Sequence, residues 1–269
     1  MDPAILRQLA LGAIPPAIAG ALVLGALVVR HEDTLCRRLL RALPALVVGC
    51  GVLGMHALLF GPPVFPATSA LGWLPWLTLG VGAAAFGAAL PKRGRALLLA
   101  AVVLIGLAVG AWLSARTLLA NAWDARSAAG HLGAMAAGAA LFVGGLLVVL
   151  RLPGAVGLLG ACMTLGGASQ LAVLGHHSLT IGQFVGIFAA FCGGGVVAAL
   201  VRRNVRLGSA ATITIGVATA LASFQAFLYG DAEHPVPVAI ATAVLPWAVW
   251  GLLVAATGAW RRLRRPRVE

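Results

Sequence analysis

The chain has 269 residues, of which 61% are hydrophobic and only 10% charged; soluble domains carry about 25% charged and about 45–50% apolar residues. This composition excludes a soluble globular domain, and runs that are apolar on all sides exclude the alternating pattern of a transmembrane β-barrel. The formal net charge of +12 does not point to nucleic acid, because the basic residues sit in short connections between apolar runs.

The reading that remains is all-α: a polytopic transmembrane helical bundle in which residues 1–269 form one integral membrane domain facing the lipid bilayer. A span needs about 20 mainly apolar residues to cross about 30 Å of hydrocarbon. Nine stretches qualify, at 10–29, 39–60, 69–90, 96–115, 128–150, 154–174, 181–201, 208–229 and 236–258. Pro15 and Pro16 near the start of the first predict that its helix restarts there, leaving Asp2–Gly12 on the surface. Pro75 and Pro246 mark kinks in spans three and nine. The connection Arg116–Ser127, with Leu118, Leu119 and Trp123, reads as a short helix on the membrane surface. Trp73, Trp76, Trp123 and Trp260 fall at span ends, as interfacial aromatic residues do.

Alternate connections differ sharply in charge. The set formed by Arg30–Arg41, 91–95, 151–153, 202–207 and the tail after Trp260 holds 16 of the 19 basic residues. The other set holds only Arg7, Arg116 and Arg126. Basic residues stay on the cytoplasmic side, so the N-terminus is expected outside and the C-terminus in the cytoplasm. Arginine supplies all the basic residues except Lys92, a bias expected of GC-rich bacterial genes, and the expected location is a bacterial inner membrane. No basic stretch precedes the first apolar run, so no cleaved signal peptide is expected.

The hairpin Gly154–Val201 is expected inside the bundle, facing other helices. Thr164, Ser169 and Gln170 interrupt its first span, and Gln183, Cys192 and Gly193–Gly195 its second. Polar side chains at membrane depth are costly unless they face protein or water, and consecutive glycines admit a neighbouring backbone. Small residues at Gly130, Ala134 and Gly138 form a stripe on span five, and Gly160, Thr164 and Ala168 another on span six. Such faces suit helix contacts within the chain or with membrane-protein partners. The cysteines Cys36, Cys50, Cys162 and Cys192 contain no C-x-x-C pair, so neither a zinc ribbon nor a disulfide framework is indicated.

Two constellations carry candidate chemistry. Thr164, Gln170 and Gln183, with Thr212, Thr219, Ser223 and Gln225 of span eight, are candidates for a polar path. Five of six histidines fall at the outer face: His56, His131, His176, His177 and His234. Of these, His56, His131, His176 and His177 are candidate ligands for a metal, or for haem between two rings. His56 and His131 are expected at matching depth. No H-x-x-x-H spacing supports a metal site, and no nucleotide-binding or hydrolase motif indicates an enzyme. No charged residue falls mid-span, which disfavours a proton-coupled pump. Two functions therefore fit. The first is a permease-like transporter of a neutral or weakly polar solute. The second is a non-catalytic subunit of a larger membrane complex, a redox one if the outer histidines lie near metal or haem.

The orientation is directly testable. A reporter active only outside the cytoplasm should work when fused after Gly175 and fail when fused after Arg203; equal activity of the two fusions would contradict the seventh span.

Overall fold

The computed structural model describes residues 3–26, 34–202, 205–230 and 235–263. His31, Asp231, Glu233, His234, Arg203 and the arginines of the C-terminal tail from Arg264 onward lie outside them. Among the described residues there is no strand. The described residues form nine α-helices: α1 (Pro3–Ala26), α2 (Thr34–Phe60), α3 (Ala70–Ala89), α4 (Arg95–Asn121), α5 (Ala125–Val149), α6 (Gly154–Gln170), α7 (Leu179–Val201), α8 (Ser209–Tyr229) and α9 (Pro235–Leu263). Eight are long and apolar enough to cross a membrane, and α1 adds the shorter apolar stretch Ala10–Ala26. The protein is a multi-pass helical membrane bundle.

The helix starts have local causes. Side-chain oxygens of Ser69, Asp124 and Ser178 accept from the backbone N–H three residues on, at Gly72, Ser127 and Ile181, and so cap α3, α5 and α7. Gly94, at φ +72°, makes the left-handed turn that sends the chain from α3 into α4.

The packing of neighbours closes a ring. In order round it run α1, α2, α3, α4, α5, α9, α6 and α7, and α7 returns to α1. The remaining helix, α8, stands inside and packs against α2, α3, α4, α5, α7 and α9. Its most apolar window is 83% buried, against 56% for α7 and 17% for α9. The axis of the bundle is thus α8, and the α6–α7 hairpin belongs to the wall. The outward side chains of α4 and α9, such as Leu104, Ile105, Trp112, Ile240 and Leu252, match hydrocarbon.

Glycine explains how α8 fits. A Cβ at Gly82 of α3 would come within 2.7 Å of the Ala45 carbonyl of α2 and 3.4 Å of Thr214, and one at Gly106 of α4 within 3.0 Å of Val81 and 3.4 Å of Val217. At Gly110 it would overlap Leu221, and Gly216 of α8 itself faces Val143 and Leu146 of α5. Each missing side chain lets a neighbour approach the axis, so packing dispersion replaces lipid contact.

The glycine triplet of α7 does admit another backbone. A Cβ at Gly194 would overlap the Ala17 carbonyl of α1, and reciprocally one at Gly20 would overlap the Phe191 carbonyl. Gly195 lies against Leu24 and Leu158, and Gly193 near the Cys162 sulfur. The α5 stripe behaves differently from its expectation. Nothing lies within 4 Å of a Cβ at Gly130, and at Gly138 the neighbour is the Ala243 methyl at an ordinary 3.8 Å. The close α5–α9 crossing falls at Gly145, where a Cβ would come within 2.7 Å of Pro246 and 2.8 Å of the Trp247 ring nitrogen.

Two other expectations are corrected. The α1 helix passes through Pro15 and Pro16 without a break, so 3–12 is helical. The segment Arg116–Asn121 continues α4 and forms no separate surface helix; only Ala122–Asp124 turns the chain. Pro44 joins Pro75 and Pro246 inside a helix.

Replacing Gly194 by Ala should lower the thermal stability of the detergent-solubilised protein by about 1–3 kcal/mol, the usual cost of overpacking. Gly166→Ala, where nothing lies within 4 Å, should leave stability equal or higher. Equal melting of the two variants would contradict the α1–α7 crossing.

Candidate functional site

The seven polar residues singled out by sequence have different surroundings. Gln170 ends α6 with an exposed side chain, and Gln183 is half-buried. Thr164 and Thr219 are fully buried, and neither hydroxyl has a partner among the described residues. Thr212 donates back to Gly208 O at 3.1 Å in its own helix. Ser223 and Gln225 face different neighbours, because two residues of helix rotate a side chain by about 200°.

Gln225 forms a clamp on α3 and α4. Its Nε2 donates to Ala70 O at 2.8 Å and to Ser114 Oγ at 3.1 Å. One turn on, the Tyr229 hydroxyl donates to Ser114 O at 2.6 Å. Ser114 and Tyr229 were not singled out by sequence. Ser114 carried a signal nonetheless, being the polar residue buried in the apolar run of α4.

Ser223 instead faces a cleft between α5, α8 and α9. Its volume is about 330 Å³, at the small end of the roughly 300–1,000 Å³ typical of ligand pockets. Met135, Phe142, Phe224, Phe227 and Ile240 supply apolar wall, and Gly138 and Ala243 widen it by their small size. Among the described residues His131, Ser223 and Thr242 are its polar side chains. Thr242 was missed by sequence, since a single threonine in an apolar span does not say which way it faces.

Each of the three has a partner in its own helix. Ser223 Oγ donates to Thr219 O at 2.9 Å, and Thr242 Oγ1 to Val238 O at 2.9 Å. His131 Nδ1 lies 2.7 Å from Ser127 O. The His131 ring also stacks on Trp123, with centroids 4.6 Å apart and planes 17° from parallel. Asp124 starts this segment: the Ser127 backbone N–H holds its carboxyl below the usual range.

The other histidines lie elsewhere. His56 lines a second cleft of about 310 Å³, with Phe60, Thr68, Ser69, Thr180 and Phe184, and its Nδ1 lies 3.2 Å from Gly61 O. His56 and His131 thus belong to separate clefts. His177 is exposed at φ 52° and turns the chain into α7. His176 is 3% exposed, with no partner for Nδ1 among the described residues. It follows a five-residue π-helical turn, Leu171–Gly175, that ends α6 and that sequence did not indicate. Among the described residues no group of three or more His, Cys, Asp or Glu comes together as a metal site would require.

Burial pushes the His176 imidazole below its ordinary 6.5, because charge is disfavoured away from water. The unfolded chain then takes up the proton first as pH falls, so the stability contributed by the neutral ring is complete above about 6.5 and is lost below it. The melting temperature of the wild type should therefore fall more steeply between pH 8 and pH 5 than that of His176→Leu; parallel profiles would contradict this burial.

No protein-family model matches the chain, and neither a curated protein nor a solved structure is similar to it.

Proposed function

We propose that the protein is a permease-like carrier of a small neutral amphiphile, held in the α5–α8–α9 cleft. The observation that supports this reading is the cleft itself: an apolar cavity with three polar side chains among the described residues, bounded on one side by the enclosed axis α8 and on the other by α9, the least buried of the eight membrane-length helices. Among the described residues no Asp, Glu, Lys or Arg lines it. An ionised solute would lose hydration there without a counter-charge, which costs several kcal/mol or more. A wholly apolar solute dissolves in the bilayer unaided, so the solute that gains from a protein site is one with a modest polar head. The scattered placement of Gln170, Gln183 and Gln225 supports binding at one cleft over conduction along a polar channel.

The test is transbilayer movement of an NBD-labelled monoacylglycerol in proteoliposomes, followed by dithionite quenching. The wild type should accelerate it over empty liposomes, and Gly138→Leu, whose side chain extends into the cleft, should not. Equal rates in all three preparations would contradict a carrier.

A further inference from the structure

From the hydrogen-bond donors of the cleft we infer its chemical preference: it selects ligands whose neutral head donates a hydrogen bond, such as an alcohol, a phenol or an amide N–H. The inference rests on the cleft being the binding site. Each polar side chain there has already committed the hydrogen it could give. The hydroxyls of Ser223 and Thr242 donate to the carbonyls of Thr219 and Val238. A carbonyl oxygen only accepts, so the His131 Nδ1 that lies 2.7 Å from Ser127 O carries the proton. In the neutral ring Nε2 is then a lone pair.

With a neutral His131 ring, the described residues of the cleft therefore offer three acceptors and no free side-chain donor. Stacking on Trp123 fixes the plane of the His131 ring, so the acceptor is held in place before the ligand arrives, which limits the ordering cost of binding. A donating head satisfies itself against any of the three. An ether or ketone of the same size meets lone pairs with its own lone pairs and is left unsatisfied. A carboxylate is worse placed, since it adds a charge that nothing in the lining balances. The arrangement is local to this site: Gln225, on another face of the same helix, presents donors to Ala70 and Ser114.

The matched probes are para-propylphenol and para-propylanisole, which differ by the donor hydrogen and a methyl group. Binding of each to the full-length protein in nanodiscs is measured by calorimetry for the wild type, His131→Phe, Ser223→Ala with Thr242→Val, and Gly138→Leu. The His131→Phe change keeps a ring to stack on Trp123 and removes the Nε2 acceptor together with the Nδ1–H bond to Ser127 O. The wild type should prefer the phenol by about threefold to tenfold, the range one net hydrogen bond gives. That ratio should shrink in His131→Phe and in the Ser223/Thr242 double variant. Equal preference in the wild type and these variants, with both probes still displaced by Gly138→Leu, would overturn the donor preference and leave the cleft as the site. Binding of both probes that is indifferent to Gly138→Leu would overturn the cleft reading and the preference together.

Discussion

Everything in this bundle depends on α8 having no lipid to face. A membrane helix gains little by burying apolar surface against another apolar helix, since lipid tails are equally apolar. Close packing and buried hydrogen bonds must hold it instead. The α8 sequence suits this: Ala210, Ala211, Ala218, Ala220 and Ala222 are small, and Gly110 of α4 lacks the side chain that would overlap Leu221. The Gln225 amide and the Tyr229 hydroxyl then tie one face to α3 and α4. With that face fixed, the opposite side of α8 becomes a rigid wall, and the ligand cleft opens between it and the more peripheral α9.

Much of this was legible in the chain. Nine apolar runs give nine helices with ends shifted by a few residues, because the 20-residue hydrocarbon requirement and the capping residues act locally. Gly193–Gly195 correctly signalled a close backbone, since only glycine tolerates one. The identity of that backbone, α1, was not legible, and neither was the enclosure of α8. Enclosure is a property of neighbours, and α7 and α8 both read as apolar helices with a few polar interruptions. The continuity of α1 through Pro15 and Pro16 was missed because proline disfavours a helix only by a few kcal/mol, which packing of α1 against α7 outweighs.

The polar residues show where sequence stops being informative. Spacing fixes the angle between Ser223 and Gln225 on the helix, and that angle already separates them onto different faces. What each face meets depends on the ring order of the helices, which no local rule supplies. The histidines repeat the lesson. Equal depth of His56 and His131 was readable, but lateral position was not, and they fall in separate clefts. The role visible for His131 came from atoms that sequence cannot place: the Ser127 carbonyl one turn back and the Trp123 ring beneath it.

The enclosure of α8 is most directly tested at its clamp. Gln225→Leu keeps the volume and removes the amide, leaving Ser114 Oγ without the amide hydrogen it accepts. Loss of partners for buried polar groups costs about 1–3 kcal/mol, and interhelical hydrogen bonds in membranes average about 0.6 kcal/mol. The account predicts that thermal unfolding of the purified variant shows a loss of about 1–2 kcal/mol, with Ser114→Ala adding little once Gln225 is gone, because the two share one interaction. A Gln225→Leu protein as stable as the wild type, or fully additive losses in the double variant, would contradict the clamp and with it the fixed axis on which the cleft is built.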